Sequence, residues 1–215
     1  MLKNKNKKVN KMNSDYEKRA LIDTNTIKWQ ETENKNVFKK VLSIKDKEET
    51  SFIKLNENSS LNQTKKINSV EIFILEGTYI NQYGEYPKGT YLRLPQEDES
   101  LVKSDKGFVI FRKTNFFTDK IQVIIDTNTS PWLAGQGNLE VQPLHEQTAL
   151  VKWPKGEKFI PHKHWGGEEV LVLEGMFIDE YGEYPKGSWI RSPHLSEHFP
   201  YVNEETIIFV KTGHM

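Results

Sequence analysis

Hydrophobic residues in this chain recur in short alternating runs, with little sign of helical spacing. VEIFILEG (70–77), TYLRLP (90–95), FVIFRK (108–113), ALVKWP (149–154) and TIIFVK (206–211) each set apolar and polar side chains on opposite faces of an extended segment. Gly, Pro, Asn and Asp stand between the runs, so strands joined by turns are predicted. An all-β antiparallel sandwich or barrel follows, with a jelly roll as the natural architecture.

The pattern occurs twice. FILEGTYINQYGEYPKGTYLRLP at 73–95 matches LVLEGMFIDEYGEYPKGSWIRSP at 171–193, an offset of 98, and IDTNTIKW at 22–29 matches IDTNTSPW at 125–132, an offset of 103. Each repeat of about 100 residues is enough for one small barrel. The expected organisation is a basic disordered tail at 1–12, an N-terminal repeat at 13–117 and a C-terminal repeat at 118–215. The tail, MLKNKNKKVNK, carries five lysines and lacks the apolar stretch of a secretory signal.

Composition excludes several function classes. Thirty basic residues balance thirty acidic ones, so bulk charge does not invite nucleic acid. No apolar run approaches the ~20 residues that a membrane helix needs. Cysteine is absent, which rules out disulfides and zinc-thiolate sites and fits a cytoplasmic protein.

Candidate chemistry is concentrated in the second repeat, which holds all six histidines. Gly156, His162, His164, Glu168 and Gly175 stand at G-x5-H-x-H-x3-E-x6-G, and Gly187, Pro193 and His198 at G-x5-P-x4-H. Imidazoles two apart on a strand share a face, and a strand entered through the Gly166-Gly167 turn brings Glu168 to the same point. With His198 the set becomes three imidazoles and a carboxylate, which suits one divalent transition metal: Fe, Zn, Mn or Ni. His194 is the alternative to His198, but it follows Pro193 directly and is expected in the loop. Sliding back by 98 gives Thr64, Lys66, Val70 and Ser100, so the first repeat keeps no ligand and is expected to serve as a structural partner.

These two strings resemble the paired motifs of the cupin superfamily, with Leu195 where the second motif usually has glycine. The words GGEEVLVLEGMFIDEYGEYPKGSWIRSP are similar to the cupins related to the sensor domain of the anti-sigma factor ChrR. The resemblance spans roughly residues 13 to 213 and implies two tandem cupin barrels packed as a bicupin. It also implies either a metal-dependent oxygenase of the diketone-cleaving type or a non-catalytic metal-binding or sensing module. A small organic molecule is the expected partner, with no nucleic acid and no membrane. A homodimer through exposed β-edges is a further expectation. Direct sigma-factor binding is not expected, because no anti-sigma module precedes the first barrel.

Around the ligands, Trp165 and Phe199 alternate away from His164 and His198 and are expected to pack outside the pocket. Trp189 and Arg191 share one strand face. If that face lines the barrel interior, Arg191 is a catalytic candidate that binds a substrate carboxylate or enolate beside the metal. Its counterpart Arg93 in the copy without ligands favours a structural ion pair instead. Tyr184 and Tyr86, in the YGEYPKG turns, are expected to be packing residues.

Overall fold

The computed structural model describes residues 11–62, 67–95 and 101–215. Every regular element among them is a β-strand, and none of the described residues forms a helix long and apolar enough to cross a membrane. The predicted tail lies outside the described residues as far as residue 10, and Met12 pairs with Ile44 as part of the fold.

Two large antiparallel sheets correspond strand for strand. One runs Val123–Asp126, Thr90–Leu94, Val70–Asn81, Phe108–Thr114, Glu48–Leu55, Val37–Lys45 and Gln30–Glu31. The other runs Ala20–Asp23, Ser188–Ser192, Glu168–Glu174, Thr206–Thr212, Thr148–Trp153, Glu140–His145 and Leu133–Ala134. The first strand in each order comes from the opposite repeat. Ala20 pairs with Arg191 and Asp23 with Ser188, while Val123 pairs with Arg93 and Asp126 with Thr90. The IDTNT words are therefore exchanged edge strands: each covers a sheet edge that would otherwise offer unpaired backbone groups.

Both faces of the central strands are buried, and alternation sends successive residues into different cores. In the N-terminal repeat Val70, Ile72 and Ile74 join Leu55, Leu94 and Phe108 in a closed apolar interior. Val170, Val172 and Ile190 line the C-terminal interior with Trp153, Phe177 and Tyr184. A third core lies between the repeats and draws on both, including Leu42, Phe52, Phe73, Tyr91, Leu171 and Trp189. At its centre Phe111 meets Phe209 edge-on at 5.6 Å, and these two residues are equivalents under the repeat offset.

Three buried charges and one partly buried lysine, Lys211, form reciprocal pairs across this third core. Lys113 of the first repeat bonds Glu169 of the second, and Lys211 of the second bonds both carboxylate oxygens of Glu71 of the first at 2.9 Å. Trp189 Nε1 donates to Glu169 at 2.8 Å, and its equivalent Tyr91 donates to Glu71 at 2.6 Å. The lysines also reach Thr50 and Thr148, another equivalent pair. Burial alone would raise the Glu169 carboxyl, but Lys113 and His214 outweigh it and hold the group well below the usual carboxylate range.

A buried ion pair contributes little net stability against an apolar replacement, yet removing one partner is costly because the other charge is left stranded. Lys113→Met is therefore expected to destabilise the chain by about 3–5 kcal/mol. Lys113→Met combined with Glu169→Leu should cost clearly less. Equilibrium urea unfolding measures both, and a double variant as unstable as the two single losses added together would contradict the pairing.

Candidate metal centre

The site is built where the C-terminal barrel closes its second wall. His162–Lys163 pairs with Glu197–His198, and His162 stands opposite His198. Backbone bonds then fix the second histidine: His164 N donates to Ser196 O at 3.1 Å, and Leu195 N donates to His164 O at 2.9 Å. Gly166 and Gly167, both at φ +74, turn the chain from His164 into the strand that begins at Glu168. A Cβ at Gly166 would come within 2.6 Å of Gly213 Cα, so this turn has room only for glycine.

His162, His164 and His198 converge, with one ring nitrogen from each lying within 4.8 Å of the others. His164 Nε2 and His198 Nε2 are 3.0 Å apart. Glu168 adjoins two of the three rings, its Oε2 being 3.5 Å from His164 Nε2 and 3.7 Å from His198 Nε2. Beneath the rings lie Phe159, at 4.8 Å from His162 between centroids, and Phe177, at 6.2 Å from His198.

The electrostatics suit a cation. Burial, followed by the neighbouring His198 and His162, pushes His164 down to about 3, and burial likewise lowers His162. These two imidazoles are therefore neutral at pH 7, with lone pairs to offer. Burial raises Glu168 despite the opposing influence of His198 and Arg19, so its ionised form lacks full compensation within the protein. His162 directs Nδ1 at Ile160 O (2.9 Å), and His198 directs Nδ1 at Asp179 Oδ2 (3.5 Å). Both arrangements leave Nε2 free to face the cluster. A single divalent ion held by the three Nε2 atoms and Glu168 would satisfy every one of these groups.

Of the residues predicted from sequence, His162, His164, Glu168 and His198 come together. His194 does not, since its Nδ1 accepts a bond from Gly166 N at 2.8 Å in the exposed loop. Trp165 and Phe199 are exposed and lie outside the barrel. Arg191 is not brought to the histidines. Its strand face is turned to the other repeat, where the guanidinium bonds Asn13 O at 2.6 Å and Ser43 Oγ at 3.0 Å and lies over the Tyr16 ring. Arg93 plays the matching part with Asp119 and Phe117. Each arginine thus pins the segment that leads into the exchanged strand of the opposite repeat.

In the first repeat Val70 occupies the position of Glu168 and is fully buried among apolar neighbours, while Thr64, Lys66 and Ser100 lie outside the described residues. A separate cavity of about 740 Å³ lies between the barrels, lined in part by Trp29, Trp132, Lys40 and Gln142, and none of the histidines reaches it.

Two participants, Asp179 and Arg19, escaped the sequence reading. Asp179 is completely buried beside His198, and Tyr184, expected only to pack, donates its hydroxyl to Asp179 Oδ1 at 2.6 Å. Arg19, from the N-terminal repeat, donates to Asp179 Oδ2 and to the Tyr184 hydroxyl, each at 2.7 Å. The signal was a difference between copies: Asn81 stands at the equivalent of Asp179, and Gln122 at the equivalent of Arg19.

Comparison with known proteins agrees with this architecture. The model of the ChrR cupin-like domain matches residues 17–118 and again residues 120–215. No curated protein matches the chain at a significant level. Among solved structures, a provisionally named dioxygenase from Nostoc punctiforme superposes with a TM-score of 0.76 at 15% identity, over 91% of this chain and 82% of that one. A cupin 2 conserved barrel domain protein from Leptotrichia buccalis gives 0.59 at 13% identity, over 89% and 95%. An oxalate decarboxylase variant of Bacillus subtilis gives 0.61 at 9% identity, over 91% and 77%. At such identities the likeness shows the fold, two tandem cupin barrels.

Leu195 keeps the turn that glycine would usually make, at φ 60. The left-handed conformation costs a non-glycine residue about 1–2 kcal/mol, against about 0.5–1 kcal/mol of extra chain entropy that a glycine loses. Leu195→Gly should therefore be at least as stable as the wild type in urea unfolding of the metal-free protein. Leu195→Val should be less stable, because branching at Cβ aggravates the strain. A glycine variant weaker than the wild type would contradict the strained turn.

Proposed function

Because the chain belongs to the ChrR cupin-like family in both of its halves, we propose that it is a bicupin holding one mononuclear metal centre, in the C-terminal barrel, and acting as a metal-dependent oxygenase on a small organic substrate. The observation that carries the reading is the convergence of His162, His164 and His198, with His164 Nε2 and His198 Nε2 only 3.0 Å apart beside the Glu168 carboxylate. His162, His164, Glu168 and His198 are the proposed ligands. Three neutral imidazoles and one carboxylate leave a divalent ion a net charge of +1. Such an ion, when bound, would supply Lewis-acid or redox chemistry at any remaining open positions.

The residues around the cluster have distinct tasks. Asp179 holds the His198 ring in orientation, and Ile160 O does so for His162. Phe159, Phe177 and Trp153 form an apolar floor that keeps water from the rear of the rings. Ile160 and Leu195 are exposed apolar side chains on the segments that carry His162 and His198. They suit a substrate with an apolar body. The solved relative named as a dioxygenase supports the oxygenase reading. A non-catalytic sensing role is the second reading, favoured by the family match to the ChrR domain.

Protein purified without added metal is expected to carry one equivalent of a divalent transition metal per chain, measured by elemental analysis after dialysis. His164→Ala should lose it while remaining folded, since burial across two barrels supplies most of the stability. Oxygen uptake with small diketones or catechols should be detectable for the loaded wild type and absent for His164→Ala. Two equivalents per chain would contradict the single site, and retained metal with no uptake would favour sensing.

A further inference from the structure

We propose that Arg19, carried by the N-terminal repeat, is a positioning residue for the metal centre of the C-terminal barrel, acting through Asp179 on His198. This rests on the metal-centre reading above.

Asp179 has no exposed side-chain surface, and its contacts serve one orientation. Its Oδ1 accepts from the Tyr184 hydroxyl at 2.6 Å and from Tyr181 N at 2.8 Å. Its Oδ2 accepts from Arg19 at 2.7 Å and faces His198 Nδ1 at 3.5 Å. Arg19 also donates to the Tyr184 hydroxyl at 2.7 Å, so arginine, tyrosine and carboxylate close a ring of bonds. The Arg19 guanidinium lies over the Tyr181 ring at 4.4 Å. With Asp179 fixed in this way, the Nδ1 edge of His198 faces a carboxylate and its Nε2 is directed into the cluster. That is the carboxylate–histidine arrangement by which a ligand's tautomer and ring angle are set.

Arg19 is placed by the fold with little freedom. It directly precedes Ala20, the first residue of the exchanged strand, whose four residues are in register with Arg191, Ile190, Trp189 and Ser188 of the C-terminal sheet. The comparison between repeats points the same way. The Tyr181 N bond to Asp179 has an exact structural counterpart in Tyr83 N to Asn81 Oδ1, at 2.8 Å in both, so the turn itself needs only a side-chain oxygen. The negative charge of Asp179 and the positive charge of Arg19 are extra, and they occur on the side that has histidines. On the other side the two positions are neutral amides, Asn81 and Gln122. Turn geometry explains an asparagine here; it does not explain a buried carboxylate paired with a partly buried arginine.

The test uses the full chain stripped of metal and titrated with Zn(II) in competition with a chromophoric chelator, and with Co(II) for its visible spectrum. Arg19→Met is expected to weaken Zn(II) binding about 10- to 100-fold and to alter the Co(II) spectrum. Arg19→Lys, which keeps the charge, should recover part of the affinity. Asp179→Asn should weaken binding to a similar extent, and adding Arg19→Met to it should cost little more, because both act on the same imidazole. A residue that mattered only for folding would show additive losses and an unchanged Co(II) spectrum in whatever protein remains folded. Wild-type affinity and an unchanged spectrum in Arg19→Met would overturn the proposal while leaving the metal centre intact. A wild-type chain that binds neither ion would overturn the metal centre itself, and the role of Arg19 with it.

Discussion

The exchange of first strands is the constraint on which the rest of this molecule depends. Neither large sheet is complete within its own repeat, since Ala20–Asp23 and Val123–Asp126 each finish the sheet of the other. Once the edges are crossed, the two sheets must lie face to face, and the residues between them are fixed by the same alternation that fills the barrels. Apolar burial supplies the driving force there. The reciprocal pairs Lys113–Glu169 and Lys211–Glu71 add direction, because a slipped or rotated packing would strand the buried charges of Lys113, Glu169 and Glu71.

The same exchange joins the first repeat to the chemistry of the second. Arg191, on the face turned towards the neighbouring repeat, holds residues 13–15, and a few residues further on Arg19 reaches Asp179 and Tyr184. One short segment therefore ties the N-terminal repeat both to the interface and to the rear of the histidine cluster. In the first barrel Val70 is buried among apolar neighbours where the second has Glu168, and the first repeat's contribution to the site is made from outside.

Much of this was legible in the sequence. Period-two alternation gave the strands, the offset of 98 gave the duplication, and histidines two apart with a glutamate beyond a Gly-Gly turn gave the cluster. The sequence left two roles open for Arg191 because alternation states which residues share a face but not which core that face meets, and here it meets the third core. Strand exchange was hidden for a related reason. The IDTNT words repeat at 103 while the rest repeats at 98, which marks them as separate from the strands that follow, but pairing between distant segments leaves no periodic trace. Asp179 and Arg19 lie outside the motifs, and only a position-by-position difference between the two copies singles them out.

The central claim, that each repeat is incomplete without the other, is tested most directly by producing residues 118–215 alone and following urea unfolding together with Zn(II) titration. The account predicts a polypeptide without a cooperative transition, or one that self-associates, with zinc affinity far below that of the full chain. Its sheet edge beside Ser188–Ser192 would be bare, its Glu169 unpaired and Arg19 missing. A monomeric fragment that unfolds cooperatively and binds zinc as tightly as the whole chain would contradict it.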